Sequence, residues 1–63
     1  MELDVAQLSS LSTTLDQLVT QVAALAEGYQ TSPREDVAAD LFEVERSLQT
    51  AHRRIQKLVA KVS

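Results

Sequence analysis

Cysteine is absent from the 63 residues, which excludes disulfides and thiolate metal sites and is compatible with a reducing cytoplasm. His52 is the only histidine, whereas a zinc site needs three or four ligands. A single glycine, Gly28, rules out a glycine-rich phosphate-cradling loop. Two aromatics, Tyr29 and Phe42, are too few for a base-stacking platform. No apolar run approaches the ~20 residues of a membrane-spanning helix. Glu2 and Asp4 stand where a signal peptide would carry positive charge, so the sequence predicts no export by that route and a cytoplasmic location. The net charge of −3 argues against non-specific nucleic-acid binding. Ser9, Ser10, Ser12, Thr13 and Thr14 cluster without a base or an oxyanion site beside them, so the reading is non-enzymatic, with no cofactor, metal or small-molecule substrate.

What the chain does contain is two aliphatic ladders. The first runs Leu8, Leu11, Leu15, Leu18, Val22, Leu25; the second runs Val37, Leu41, Val44, Leu48, Ala51, Ile55, Leu58, Val62. Steps of three and four keep such residues on one side of a helix, facing a partner helix. The fold class this predicts is all-α: an antiparallel two-helix hairpin of coiled-coil character. So small a chain, without disulfide or metal, needs very regular packing or oligomerisation. Dimerisation to a four-helix bundle is therefore part of the expectation.

Local signals place the helix ends. Asp4 reads as an N-cap with Gln7 completing a capping box, and Leu3 with Leu8 as a hydrophobic staple. Gly28 reads as the left-handed residue that closes helix 1 after Glu27, with Tyr29 folding back. Ser32-Pro33-Arg34-Glu35 reads as N-cap serine, first-turn proline and capping-box glutamate. One domain over residues 1–63 follows, with helix 1 at about 5–27, a turn at 28–32 and helix 2 at about 33–62. Small secreted helical hairpins carry a Trp-x-Gly turn, and ribosomal hairpins are strongly basic. Here the turn is Glu27-Gly28-Tyr29-Gln30 in an acidic chain, so neither family is matched.

Closing the turn so that Tyr29 meets Val37 predicts the layers Leu25–Leu41, Val22–Val44, Leu18–Leu48, Leu15–Ala51, Leu11–Ile55 and Leu8–Leu58, ending at Asp4–Val62. One flank of this seam is polar: Gln7, Thr14 and Gln21 beside Asp40, Ser47, Arg54 and Lys61. The other holds Val5, Ser12, Val19 and Ala26 beside Ala38, Glu45, His52 and Val59, with Phe42 just outside. The expected interface therefore consists of Val5, Val19, Ala26, Ala38, Phe42, Glu45, His52 and Val59, covered by a second copy or by a helical protein partner. A Glu45–His52 contact between subunits would make assembly pH-sensitive, since histidine titrates between pH 5 and 8.

Charge is graded along helix 2. Glu35, Asp36, Asp40, Glu43 and Glu45 fill its first half; Arg46, Arg53, Arg54, Lys57 and Lys61 fill its second. Much of that gradient simply complements the helix dipole. The functional expectation is an interaction or oligomerisation module, a small scaffold, regulator or subunit of a larger assembly. The alternative is an adaptor whose basic patch (Arg46, Arg53, Arg54, Lys57, Lys61) docks on an acidic protein, lipid headgroups or nucleic acid.

Overall fold

In a computed structural model of the chain, which describes residues 5–62, two helices account for nearly everything. α1 spans Val5–Gln30 and α2 spans Glu35–Val62. They pack along each other as a hairpin measuring 50 × 16 × 14 Å, and no strand occurs among the described residues. A connection confined to residues 31–34 leaves no room for a crossover, so the helices run antiparallel. Accordingly Ser9 and Ser12 of α1 line one groove together with Gln56, Val59 and Ala60 of α2.

Helix 1 does not stop at Gly28. It continues through Gln30, and Gly28 lacks the positive φ of a left-handed cap. Proline is the cause of termination. Pro33 disfavours helical backbone at Ser32, so the helix must close one turn after the glycine. Hydroxyls then satisfy its last carbonyls. Thr31 Oγ1 donates to the Gly28 carbonyl (3.2 Å), and Ser32 donates to the Tyr29 carbonyl through both Oγ (2.7 Å) and its backbone N–H (3.1 Å).

Ser32 also serves the second helix, because its Oγ accepts the Arg34 N–H at 3.1 Å. That is the expected N-cap, made to the Arg34 N–H and not to the Glu35 N–H that a capping box would use. The Ser32 N–H turns back to Tyr29, so no donor remains for Glu35 to accept. Regular helix starts at Glu35, with the Arg34 carbonyl accepting from Val37 (3.1 Å) and Ala38 (3.4 Å). Glu35 and Asp36 in the first turn and Lys61 in the last match the helix dipole. Arg34 Nε lies 3.1 Å from Asp36 Oδ1, and this guanidinium hydrogen bond holds the Asp36 carboxyl below its ordinary value. The expected Asp4 cap, the Leu3–Leu8 staple and the Asp4–Val62 layer fall on residues 1–4, outside the described residues.

The seam between the helices is rotated from the expected one. Among the described residues only Ala26 and Ala38 are fully buried, at 0% and 3% exposure. Partial burial on α1 follows Val5, Leu8, Ser12, Leu15, Val19, Val22 and Ala23; on α2 it follows Val37, Leu41, Phe42, Glu45, Leu48, Ala51, His52, Ile55, Val59 and Val62. Leu11, Leu18, Leu25, Val44 and Leu58 instead stand exposed, at the margin of the seam and not at its centre. The reason is steric. A short turn forces the two backbones together beside it, and the positions nearest the turn must then be small. Ala26 and Ala38 permit that approach, whereas a first layer of Leu25 against Leu41 would hold the axes apart.

Two outcomes follow. Gly28 sits in helical backbone, and a β-carbon there would meet nothing within 4 Å. Gly28→Ala should therefore stabilise the chain by about 0.5–1 kcal/mol, read as a rise of several degrees in the thermal midpoint; a fall would place a turn at Gly28. Removing the guanidinium with Arg34→Ala should let the Asp36 pKa rise toward its ordinary value in a carboxylate NMR titration. Because the folded value is depressed, Asp36's contribution is present above the ordinary carboxylate pKa and is lost as pH falls through the lowered one.

Candidate functional site: an exposed aliphatic face

Leu11, Leu18 and Leu25 recur every seven residues, two helical turns, and so lie in one row along α1. They are 48%, 39% and 55% exposed. Tyr29 extends the row toward the turn, where Ala24, Leu25, Gly28 and Tyr29 line an open, mostly apolar groove with Gln21 and Ser32. On α2 the matching row is Val37, Val44, Ala51 and Leu58, of which Val44 and Leu58 are each 46% exposed. Ser9 and Ser12 border one groove with Gln56, Val59 and Ala60, and antiparallel counting from that groove sets Leu11 near the level of Leu58, Leu18 near Ala51 and Leu25 near Val44. Between the rows run the half-buried Leu8, Leu15, Val22, Leu41, Leu48 and Ile55. One side of the hairpin is thus continuously aliphatic.

The rims of this face are polar. Gln7, Thr14 and Gln21 border it on α1, and Asp40, Ser47, Arg54 and Lys61 on α2, all exposed. This is the flank that sequence reasoning read as merely solvated. Its polar residues edge the apolar face instead of forming a separate surface.

The residues expected to form an interface lie elsewhere. Ala26 and Ala38 are buried within the hairpin itself. Val5, Val19, Phe42, Glu45, His52 and Val59 are partly buried on the sides of the helices centred on those alanines. Their heptad spacing was read correctly, but α1 and α2 already cover each other there. His52 and Glu45 share the heptad position of Ala38. Seven residues, or about 10 Å, separate them along the axis. Neither side chain makes a hydrogen bond or ion pair among the described residues.

The basic patch is scattered over exposed positions of α2. Arg46 NH1 lies 3.4 Å from Glu43 Oε1, and Arg53 donates to Thr50 Oγ1 at 3.5 Å. Arg54, Lys57 and Lys61 form no ion pair among the described residues. The hydroxyl cluster of α1 is engaged internally, with Thr13 donating to the Ser9 carbonyl (3.2 Å) and Thr14 to the Ser10 carbonyl (3.0 Å). No group of three potential metal ligands occurs among the described residues, and no helix there is long and apolar enough to cross a membrane.

Comparison with protein-family models, curated proteins and solved structures found no match to this chain. Functional argument therefore rests on the chain's own surface.

Polar groups in a half-buried seam tie up area that aliphatic side chains would use better. His52→Leu and Glu45→Leu should each raise the thermal midpoint, by roughly 1 kcal/mol of added apolar burial. Thermal melts of the two variants check this. A drop of similar size in either would reveal a partner for that side chain in the folded chain.

Proposed function

We propose that this chain is a non-enzymatic protein–protein interaction module, working as a small scaffold, regulator or assembly subunit through its aliphatic face. The observation that carries the reading is the unbroken exposed row Leu11, Leu18, Leu25 beside Val44 and Leu58. Single exposed leucines are ordinary; a contiguous apolar stripe edged by polar residues is the anatomy of a docking surface.

Area supports the same reading. The hairpin presents 4851 Å² to solvent, against about 4000 Å² for a compact monomer of its mass. The excess reflects the elongated 50 × 16 × 14 Å shape, which leaves long helix faces without a neighbour. Covering the face would bring the chain to the surface economy of a self-sufficient domain.

A second reading has one observation behind it. Arg54, Lys57 and Lys61 are exposed cations without ion pairs among the described residues, which suits an adaptor docking on an anionic surface. Salt separates the two, because phosphate-directed binding weakens steeply with ionic strength and aliphatic packing does not.

A photo-reactive amino acid placed in the cell of origin tests the leading proposal. Cross-links should form from positions 11 and 25, on the face, and not from Thr13 or Gln17, on the polar side. Adducts of any mass from the face support a docking role. Equal labelling from both sides, or none from the face, removes it.

A further inference from the structure

Resting on that reading, we infer that the occupant of the face is a second copy of this chain, laid on it with its long axis reversed. The two-fold axis lies in the plane between the faces, at the level of Leu18 and Ala51.

Three features lead there. First, the face is self-complementary about that level. Leu11 and Leu25 lie seven residues to either side of Leu18, and Val44 and Leu58 lie seven to either side of Ala51. Reversal sets Leu11 against the second copy's Leu25 and Val44 against its Leu58, so every large exposed aliphatic residue of the face finds another. A two-fold interface requires this kind of self-matching.

Second, charge fixes the direction. Among the described residues, the turn half of the hairpin (17–48) carries Glu27, Glu35, Asp36, Asp40, Glu43 and Glu45 against Arg34 and Arg46, six acids less two bases, or −4. The open half (5–16 and 49–62) carries Arg53, Arg54, Lys57 and Lys61 against Asp16, four bases less one acid, or +3. Adding the charges of Glu2 and Asp4, which precede α1 in sequence, still leaves a sum of +1, of opposite sign. Reversed copies place unlike halves together. Copies lying in the same direction would stack like on like, and such repulsion selects orientation even where it adds little affinity.

Third, the rim repeats the argument residue by residue. Reversal about Ala51 brings Asp40 of one copy within one residue's level of Lys61 of the other, with Ser47 near the other's Arg54. In the same-direction alternative the α2 rim meets the α1 rim of Gln7, Thr14 and Gln21, and those cations and Asp40 find no opposite charge. Both arrangements leave every neighbouring pair of helices antiparallel, so the choice of direction rests on the side-chain charges.

The chain's lack of cysteine makes the test clean, since one introduced thiol per chain is the only one present. The full-length parent should sediment at about twice 6.9 kDa. Ala51→Cys alone should form disulfide-linked dimers on mild oxidation. Mixed Val44→Cys and Leu58→Cys chains should cross-link at least about tenfold faster than mixed Leu25→Cys and Val44→Cys chains, because only thiols within disulfide reach couple readily. The opposite ranking, with the Leu25 and Val44 mixture faster, would overturn the reversed arrangement while leaving the face a docking surface. A parent sedimenting at 6.9 kDa across the micromolar range overturns the second copy as occupant. Photo-adducts from positions 11 and 25 whose mass fits only a different protein would do the same and keep the interaction module. Loss of those adducts altogether would end both.

Discussion

The rest of this hairpin follows from the two small side chains buried beside its turn, Ala26 and Ala38. A turn spanning only residues 31–34 leaves little freedom in how α1 and α2 meet, and two alanines one turn or so from it are what let them meet tightly. Once that contact is set, heptad spacing carries the seam down each helix through Val19 and Ser12 on one side and Glu45, His52 and Val59 on the other. The aliphatic residues one step round the helix are then displaced outward. The exposed face is thus a consequence of the turn, propagated along the length of both helices by the 3.6-residue period.

A two-helix arrangement cannot avoid this cost to its apolar surface. On α1 the aliphatic positions from Leu25 round to Val5 span roughly 160° of the helix, well beyond what one neighbouring helix covers. The seam has to sit somewhere within that arc, and whichever stripe it leaves out meets water. No side chain larger than alanine is fully buried in the hairpin. Hydrophobic stabilisation scales with area removed from water, so a chain in which none of the described leucines, isoleucines and valines is fully buried gains only part of what its composition offers.

Much of the architecture was legible in the residues themselves. The two ladders located both helices, and Ser32-Pro33 located the turn, because proline and a capping hydroxyl act through local sterics and hydrogen bonds that a sequence displays directly. Gly28 misled for a physical reason. Glycine is permitted a left-handed conformation but not obliged to adopt it, and with Pro33 ending the helix one turn later nothing required it to. The rotation of the seam was harder to read. Heptad counting identifies which residues share a side of a helix, but two adjacent apolar rows compete for the same partner. The winner was decided by side-chain size at Ala26 and Ala38, whose importance depends on how near the short turn brings them. The elements of the candidate face were therefore all visible as a ladder, while its exposure was not.

The distribution of polarity carries the functional argument one step further. The hairpin places Ser12, Glu45 and His52, its most polar apposed groups, within its own seam, and turns Leu11, Leu18, Leu25, Val44 and Leu58 outward. A chain folding for its own stability alone would gain by the opposite rotation, with leucines enclosed and polar groups in water. Half-exposed polar side chains in a seam are tolerable, since their heads still reach solvent. Five large aliphatic residues in a row are tolerable only if something covers them. Under the proposed association a second apolar layer would lie outside the hairpin, and folding and association would draw on one continuous core. The intramolecular seam sets the spacing and direction of the helices, and the proposed partner on the outer face would supply the burial that two helices alone do not reach.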